Sequence, residues 1–456
     1  MRSDLKPYPV YKNSDVEWLG QVPVHWETRR LKLAFSKITG GSTPSSSEAA
    51  YWDGDIVWVT PADVSRSTRL YTSLRQITQD GLLSCSTELA PAGSIIVTSR
   101  APVGNVAIAE TELCTNQGCK TLVATPDVVD PMFGFNILTT IKDELQSLAV
   151  GTTFTEISTD RIGSVRMPLP PLLEQAAIVR YLDYMDRRIQ RYIRAKQKLI
   201  KLLEEQKQAI IHQAVTGQID VRTGKPYLTY KPSGVEWLGD VPEHWELSRL
   251  VKFITLQRGF DITKDQQRDG SIPVVSSGGI SSYHDTATGE GPGVIVGRKG
   301  TAGAVHYIET DYWAHDTTLW VSDFKGSCPR YVFYVLIELD LKRFDTGSAN
   351  PTLNRNIIHP EPIAFPPPKE QTLIAVYLDA ILDANARAID SALRVILLLK
   401  EYRTRLISDV VTGKLDVREA AANLPEELKE ELPEDQEQEE EDDKDLADEE
   451  HIEDEP

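Results

Sequence analysis

Leu169-Pro-Pro-Leu-Leu-Glu-Gln175 opens a stretch that closes at Val215-Thr-Gly-Gln-Ile-Asp-Val-Arg222, and the chain writes that stretch twice. The second copy runs from Phe365-Pro-Pro-Pro-Lys-Glu-Gln371 to Val411-Thr-Gly-Lys-Leu-Asp-Val-Arg418, displaced by 196 residues at both ends. Between the landmarks the apolar positions step by four and three. The first copy gives Ile178, Leu182, Met185, Ile189, Tyr192, Leu199, Leu203 and Ile210, with Lys196 and Gln206 off the pattern. The second gives Ile374, Leu378, Ile381, Asn385, Ala388, Ala392, Val395 and Leu399. This is the spacing of a heptad seam. Proline lacks the donor a helix interior needs, so the prolines mark the helix starts. Gly217 and Gly413 stand where a C-terminal stop belongs. Each copy is therefore predicted to be one helix of roughly ten turns. A seam exposed to water needs a partner, and the shared register makes the other copy the expected one, antiparallel. A core helix of one globular domain is the alternative.

A second repeat precedes each helix. Tyr11–Glu27 and Tyr230–Glu246 share thirteen of seventeen residues, including Val-Glu-Trp-Leu-Gly and His-Trp-Glu, at an offset of 219. The chain thus reads as a duplicated frame carrying two unlike inserts, at about 28–167 and 247–364. Both inserts read as mixed β structure with turns. The first has strand candidates Ile56–Thr60, Ile95–Thr98, Val106–Ala109 and Thr121–Ala124, then a helix Pro131–Leu148. The second has Pro273–Ser276, Val294–Val296, Ala304–Ile308 and Thr318–Val321, then a helix Pro329–Lys342. The fold class expected is α+β: two mixed α/β domains separated by an antiparallel two-helix coiled coil, with a pseudo-twofold internal repeat. The expected division is 1–167, 168–222, 223–364, 365–418 and a tail 419–456.

The net charge of −19 is nearly all in that tail, which holds 20 Asp and Glu against two Lys. So dense a charge with so few large apolar residues predicts disorder. It would keep the protein soluble or mimic DNA phosphate. The remaining 418 residues carry 47 Lys and Arg against 48 acids, so the body is neutral and its basic residues matter only where clustered. The Glu174–His212 stretch is one such cluster, with nine Lys or Arg against five acids. No apolar run is long enough to span a membrane, and no signal peptide is visible. Cys85, Cys114, Cys119 and Cys328 form neither a C-x-x-C pair nor zinc spacing, so a reduced, cytoplasmic setting and no metal are expected.

Catalytic constellations are missing from the sequence. Gly297-Arg-Lys-Gly-Thr-Ala-Gly303 has the wrong spacing for a phosphate loop. Asn350-Pro-Thr352 lacks the aromatic of an amino-methyltransferase motif. His25 and His244 belong to the repeated frame and read as structural. A non-catalytic module is expected. What remains is recognition chemistry at loop tips. In the first insert the candidates are Arg66, Arg69, Arg75, Ser99, Arg100, Asn105, Asn116, Gln117 and Lys120. In the second they are Arg258, Lys264, Ser276, Ser277, Arg298, Lys299, Thr301, His315, Asp316, Asn354 and Arg355. Arg and Lys suit guanine edges and phosphates, and Asn and Gln suit adenine.

The duplicated Val-Glu-Trp-Leu-Gly-x-Val-Pro-x-His-Trp and the helix start and end motifs resemble specificity subunits of type I restriction–modification systems. So do Gly41-Ser-Thr-Pro-Ser45, Tyr51-Trp-Asp-Gly-Asp-Ile56, Asn116-Gln-Gly118 and Gly300-Thr-Ala-Gly303. The resemblance covers about residues 8–418 and leaves out the acidic tail. It implies two target recognition domains, each reading one half of a split double-stranded DNA sequence, held apart by an antiparallel helix pair. It implies a subunit without catalysis or cofactor of its own. Its partners would be two DNA adenine methyltransferase subunits, which bind S-adenosylmethionine. Restriction subunits, which use ATP and magnesium, can also join. Because the inserts differ, the target would be non-palindromic with an unread gap. The alternative is a coiled-coil scaffold without sequence-specific DNA binding, which leaves the divergence of the inserts unexplained.

Overall fold

The computed structural model describes residues 5–150, 156–344 and 352–425. The chain forms two compact units, one of residues 1–191 and 398–456, the other of residues 192–397. Units and sequence segments therefore do not coincide. Each long helix gives one half to each unit, because the helices run from Leu172 to Val215 and from Pro368 to Val411, 44 residues each.

The two units are built on the same frame. In unit 1 Tyr11–Asn13 pairs with Gln21–Pro23, and Glu27–Arg30 pairs with Arg166–Leu169, both antiparallel. In unit 2 the equivalent pairs are Tyr230–Pro232 with Asp240–Pro242 and Glu246–Arg249 with Pro362–Phe365. Each frame carries a larger sheet. In unit 1 its order is Phe35–Gly40, Cys119–Ala124, Ile95–Thr98, Val106–Ala109 and Arg69–Leu70. In unit 2 it is Thr255–Arg258, Thr318–Asp323, Gly293–Gly297 and Val305–Ile308. The fifth strand and the helix Pro61–Arg66 belong to unit 1, whose insert is 23 residues longer. A three-stranded sheet completes each unit: Cys114–Thr115, Trp52–Val59 and Gln76–Ile77 in one, Gly279–His284, Ile272–Ser276 and Trp313–Ala314 in the other.

The repeated motifs converge on one carboxylate per unit. In unit 1 the Tyr8 hydroxyl and the Trp26 Nε1–H both donate to Glu174 Oε1, at 2.6 and 3.0 Å. His25 Nε2 lies 2.8 Å from Glu174 Oε2. In unit 2 Tyr227, Trp245 and His244 hold Glu370 in the same way, at 2.5, 3.1 and 2.8 Å. Both carboxylates are buried. Burial raises the Glu370 pKa, but the bonds from Tyr227, His244 and Trp245 outweigh it and hold the carboxyl below its usual range. The glycine stops complete the arrangement. Gly413 sits at φ +78°, and a Cβ there would come within 2.5 Å of Pro23 Cδ. Gly217, at φ +75°, faces Pro242 at 2.4 Å. Left-handed backbone and a proline ring in contact both require glycine. The frame histidines are thus structural, as their repetition suggested.

Within unit 1, Ile178, Leu182 and Met185 share a core with Leu406, Val410 and Val411, and Asp186 pairs with Arg403. Within unit 2, Ile211, Ala214 and Val215 share a core with Ile374, Ala375 and Leu378, and Asn385 Nδ2 donates to the Leu203 carbonyl at 2.9 Å. In each unit the start of one helix therefore lies beside the end of the other, the antiparallel pairing expected. Asn385 is the buried polar residue of the seam, 6% exposed.

The seam departs from the strict heptad after Ile189. Ile193 is buried at 5% exposure, whereas Tyr192 and Leu199 stand exposed at 45% and 39%. In the second helix Ile396 and Ala392 are buried, Ile381, Val395 and Leu399 half-buried and Ala388 exposed. An α-helix turns every 3.6 residues and so drifts about 20° per heptad against a 3.5 repeat, which shifts the buried stripe by one position.

Three other bounds differ from expectation. The first insert's helix breaks at Ile141 into Pro131–Thr140 and Lys142–Ser147. Thr139 and Thr140 donate their hydroxyls back to Phe135 and Asn136 carbonyls, which favours a bend. The second insert's helix stops at Glu338, ahead of Asp340 at φ +42°. Arg418–Ala422, placed mostly in the tail, is a short helix with Ala421 packed in the unit 1 core. Residues 151–155 and 345–351 and the acidic run from 426 lie outside the described residues. Burial pushes the Cys114 and Cys119 thiols up to about 12. Among the described residues, no helix is long and apolar enough to cross a membrane.

Candidate nucleic-acid interface

In unit 1 Ser99, Arg100, Asn105, Asn116, Gln117 and Lys120 gather at the loop after Ile95–Thr98 and around the start of Cys119–Ala124, whereas Arg66, Arg69 and Arg75 lie elsewhere. The Ser99 amide donates to the Gly118 carbonyl at 2.7 Å, which ties these loops together. Asn116 Oδ1 accepts from the Gly118 amide at 2.8 Å, and the Thr43 hydroxyl donates to Gln117 Oε1. Asn105 Nδ2 donates to Ser65 Oγ at 3.1 Å. The amides proposed for adenine are therefore engaged in holding loops. Arg100 Nε lies 3.1 Å from Glu156 Oε2, and Lys120 Nζ lies 3.8 Å from its Oε1. Lys120 is 9% exposed, so it is a buried support rather than a loop tip. Arg69 pairs with Glu110. The Arg75 guanidinium lies 3.6 Å above the Trp52 ring. Arg66 ends its helix, exposed.

Unit 2 draws four of its candidates into one cleft of about 470 Å³, with Arg258, Arg298, Asn354 and Arg355 in its wall beside Gln257 and Phe260. Arg298 is largely buried and donates Nε and Nη2 to the Asp316 carbonyl at 3.2 and 3.1 Å. Burial, then the nearby Arg258, lowers its pKa from the ordinary guanidinium value. Arg258 Nη2 donates to Asp316 Oδ2 at 2.7 Å. Asn354 caps the short helix Arg355–Ile358, accepting from the Asn356 amide at 2.9 Å, and Arg355 donates to the Leu256 carbonyl at 3.4 Å.

The remaining candidates divide. Ser277 is 5% exposed and bonded to Thr317, which makes it structural. His315 Nδ1 lies 3.0 Å from Thr317 Oγ1. Thr301 sits in the loop between the strands of one hairpin, its carbonyl accepting from Ala304. Lys264 is exposed on a one-turn helix outside the cleft wall. Asp261, His315 and Asp316 place their ligand atoms within 4.8 Å of one another, with Asp316 already engaged by Arg258.

The two units differ at an equivalent place. Arg100 bridges to Glu156 by backbone, and Lys299 bridges to Thr352 in the same way. A carboxylate accompanies the cation in unit 1, and a hydroxyl side chain stands there in unit 2. Sequence reading missed Glu156, Gln257 and Phe260. Only Phe260, an aromatic two residues past a basic strand end, left a local signal.

Among solved structures, a chain from a study of complex assembly and conformational transition of the type I R-M system aligns over 86% of this chain and 99% of its own. Its TM-score is 0.69 at 16% identity. The HsdS subunit from Thermoanaerobacter tengcongensis aligns over 86% and 98%, with a TM-score of 0.55 and 16% identity. Both share the fold. The type I restriction enzyme MjaIX specificity subunit of Methanocaldococcus jannaschii is 32% identical over 253 residues, 55% of each chain. The EcoprrI specificity subunit of Escherichia coli is 23% identical over 381 residues, 80% of this chain and 87% of its own. The chain spans about half the length of the first curated relatives it matches. The sequence pattern of the type I restriction modification DNA specificity domain matches at residues 23–202 and again at 242–393. With both halves matched and the frame repeated around Glu174 and Glu370, the chain belongs to the type I restriction modification DNA specificity domain family.

Proposed function

We propose that this chain is the DNA sequence-recognition subunit of a type I restriction–modification complex. Each unit reads one half of a bipartite, non-palindromic target in double-stranded DNA. The observation that carries this reading is one frame presenting two different sets of cationic loops, with three arginines drawn into the unit 2 cleft. A scaffold without base reading gives no account of that cleft. The chain has no catalytic role of its own in this reading. The long helices dock two adenine methyltransferase subunits and set the gap between half-targets. Lengthening a helix by four residues, about 6 Å, is expected to widen the gap by one or two base pairs. Mapping methylated adenines genome-wide, with and without the gene, tests the proposal. A split motif that disappears with the gene supports it, and an unchanged methylation pattern overturns it.

A further inference from the structure

We propose that Arg258, braced by the Asp316 carboxylate, is a specificity-determining residue that reads a guanine edge in the half-target of unit 2. This deepens the DNA-recognition reading above and rests on it.

The bracing is built in series. Arg298 has an 11% exposed side chain and grips the Asp316 main-chain carbonyl with two donors. The Asp316 side chain is 21% exposed, and its Oδ1 lies 3.3 Å from His315 Nδ1, the nitrogen that accepts the Thr317 amide. It then holds Arg258, whose side chain ends the strand Thr255–Arg258 with 58% exposure at the cleft. A guanidinium carries five N–H donors in a fixed plane. Asp316 engages one corner and orients the rest.

That arrangement separates two acceptors. A phosphate is drawn chiefly by net charge, and the carboxylate 2.7 Å from the guanidinium, shared with Arg298 at 4.0 Å, offsets part of it. The same carboxylate would repel a phosphate brought to the same fork. Guanine O6 and N7 are uncharged, directional and matched by two parallel N–H groups, so bracing favours them. Arg355 contrasts with this: its bond goes to the neutral Leu256 carbonyl, and its charge suits the phosphate chain. Phe260 adds an apolar wall. It is 46% exposed and packs edge-on to Trp313 at 6.3 Å, beside the cleft.

The test is selection of the full chain on a random DNA duplex library, for the parent, Arg258→Gln, Arg258→Lys and Asp316→Asn, each checked by thermal melting. The parent is expected to enrich a two-part motif with a fixed guanine in one part. Arg258→Gln should reduce preference for that guanine about ten- to hundredfold and leave the other part intact. Arg258→Lys keeps the charge but loses the fork, so it should blur the same guanine while holding unrelated duplex as well as the parent. Asp316→Asn should blur it too and bind unrelated duplex more tightly. Uniform weakening on every sequence with a shallower salt dependence would make Arg258 a phosphate contact and overturn the inference. So would an unchanged motif in all three variants. A parent that enriches no motif would sink the recognition reading itself.

Discussion

The amide of Asp416 donates to the carbonyl of Lys6 at 2.8 Å, and the amide of Asp220 donates to the carbonyl of Lys225 at the same distance. The first bond joins segments hundreds of residues apart in sequence, and the second closes a short turn. Arg418 forks onto Asp416 as Arg222 forks onto Asp220. The end of the second helix thus meets the first frame segment as the end of the first helix meets the second. A circular permutant should therefore fold when it is opened between Thr223 and Gly224 and closed by a Thr-Gly link from Arg418 to Lys6. Its packing losses are Ala421 with Leu5, Ala420 and Leu424, which pack partly against the same core, together on the order of a few kcal/mol. Loss of cooperative thermal unfolding would show that the two junctions are not equivalent.

The carboxylate at the centre of unit 2 makes stability depend on acid. Glu370 has its pKa held below the usual 4.5, so its contribution is complete above that value and is lost as pH falls through the lowered one. Glu370→Gln keeps the shape and removes the charge that the Tyr227, His244 and Trp245 bonds favour. It should cost about 1.5–3 kcal/mol near neutrality, the range of bonds to charged groups. Its denaturant stability should also fall less between pH 5 and pH 3 than the parent's. An acid limb identical to the parent's would remove Glu370 from the account.

Lys120 and Arg100 share the Glu156 carboxylate but should respond differently to truncation. Arg100 is 46% exposed at its side chain, whereas Lys120 lies inside, its Nζ 2.9 Å from where a Cβ on Gly40 would sit. Lys120→Ala should lower the thermal midpoint clearly, through lost packing of a buried side chain and a carboxylate short of a partner. Arg100→Ala should leave the unfolding stability within about 0.5 kcal/mol of the parent, as exposed substitutions usually do. Equal losses would contradict the burial difference.

How far the sequence could be read follows from what each signal measures. The helix starts at Pro-Pro and the stops at Gly217 and Gly413 were legible because proline and glycine act through local backbone chemistry. The frame was legible because it is repeated. The convergence of Tyr8, His25 and Trp26 on Glu174 was not, since it joins residues up to 166 apart that share no local pattern. The same limit hid Glu156, which pairs with cations 56 and about 36 residues away in sequence. Basic residues could be counted, but their carboxylate partners could not.

The seam gives the clearest test of that limit, because the heptad pattern and the burial disagree at adjacent positions. Leu199 continues the four-three spacing, yet it is 39% exposed, while Ile193, off the spacing, is 5% exposed. Aspartate at Ile193 would place an ionised group where apolar packing now lies, and should cost several kcal/mol, about that of a large core truncation or more. Aspartate at Leu199 leaves the charge in water. It loses helix propensity of roughly 0.5 kcal/mol and the packing of a partly covered side chain. Ile396→Asp on the second helix should behave like Ile193→Asp, since Ile396 is 8% exposed. Denaturant unfolding of the three variants measures the difference. If Leu199→Asp proves as damaging as the two isoleucine variants, the strict heptad is the true seam and the drift toward 3.6 residues per turn is wrong.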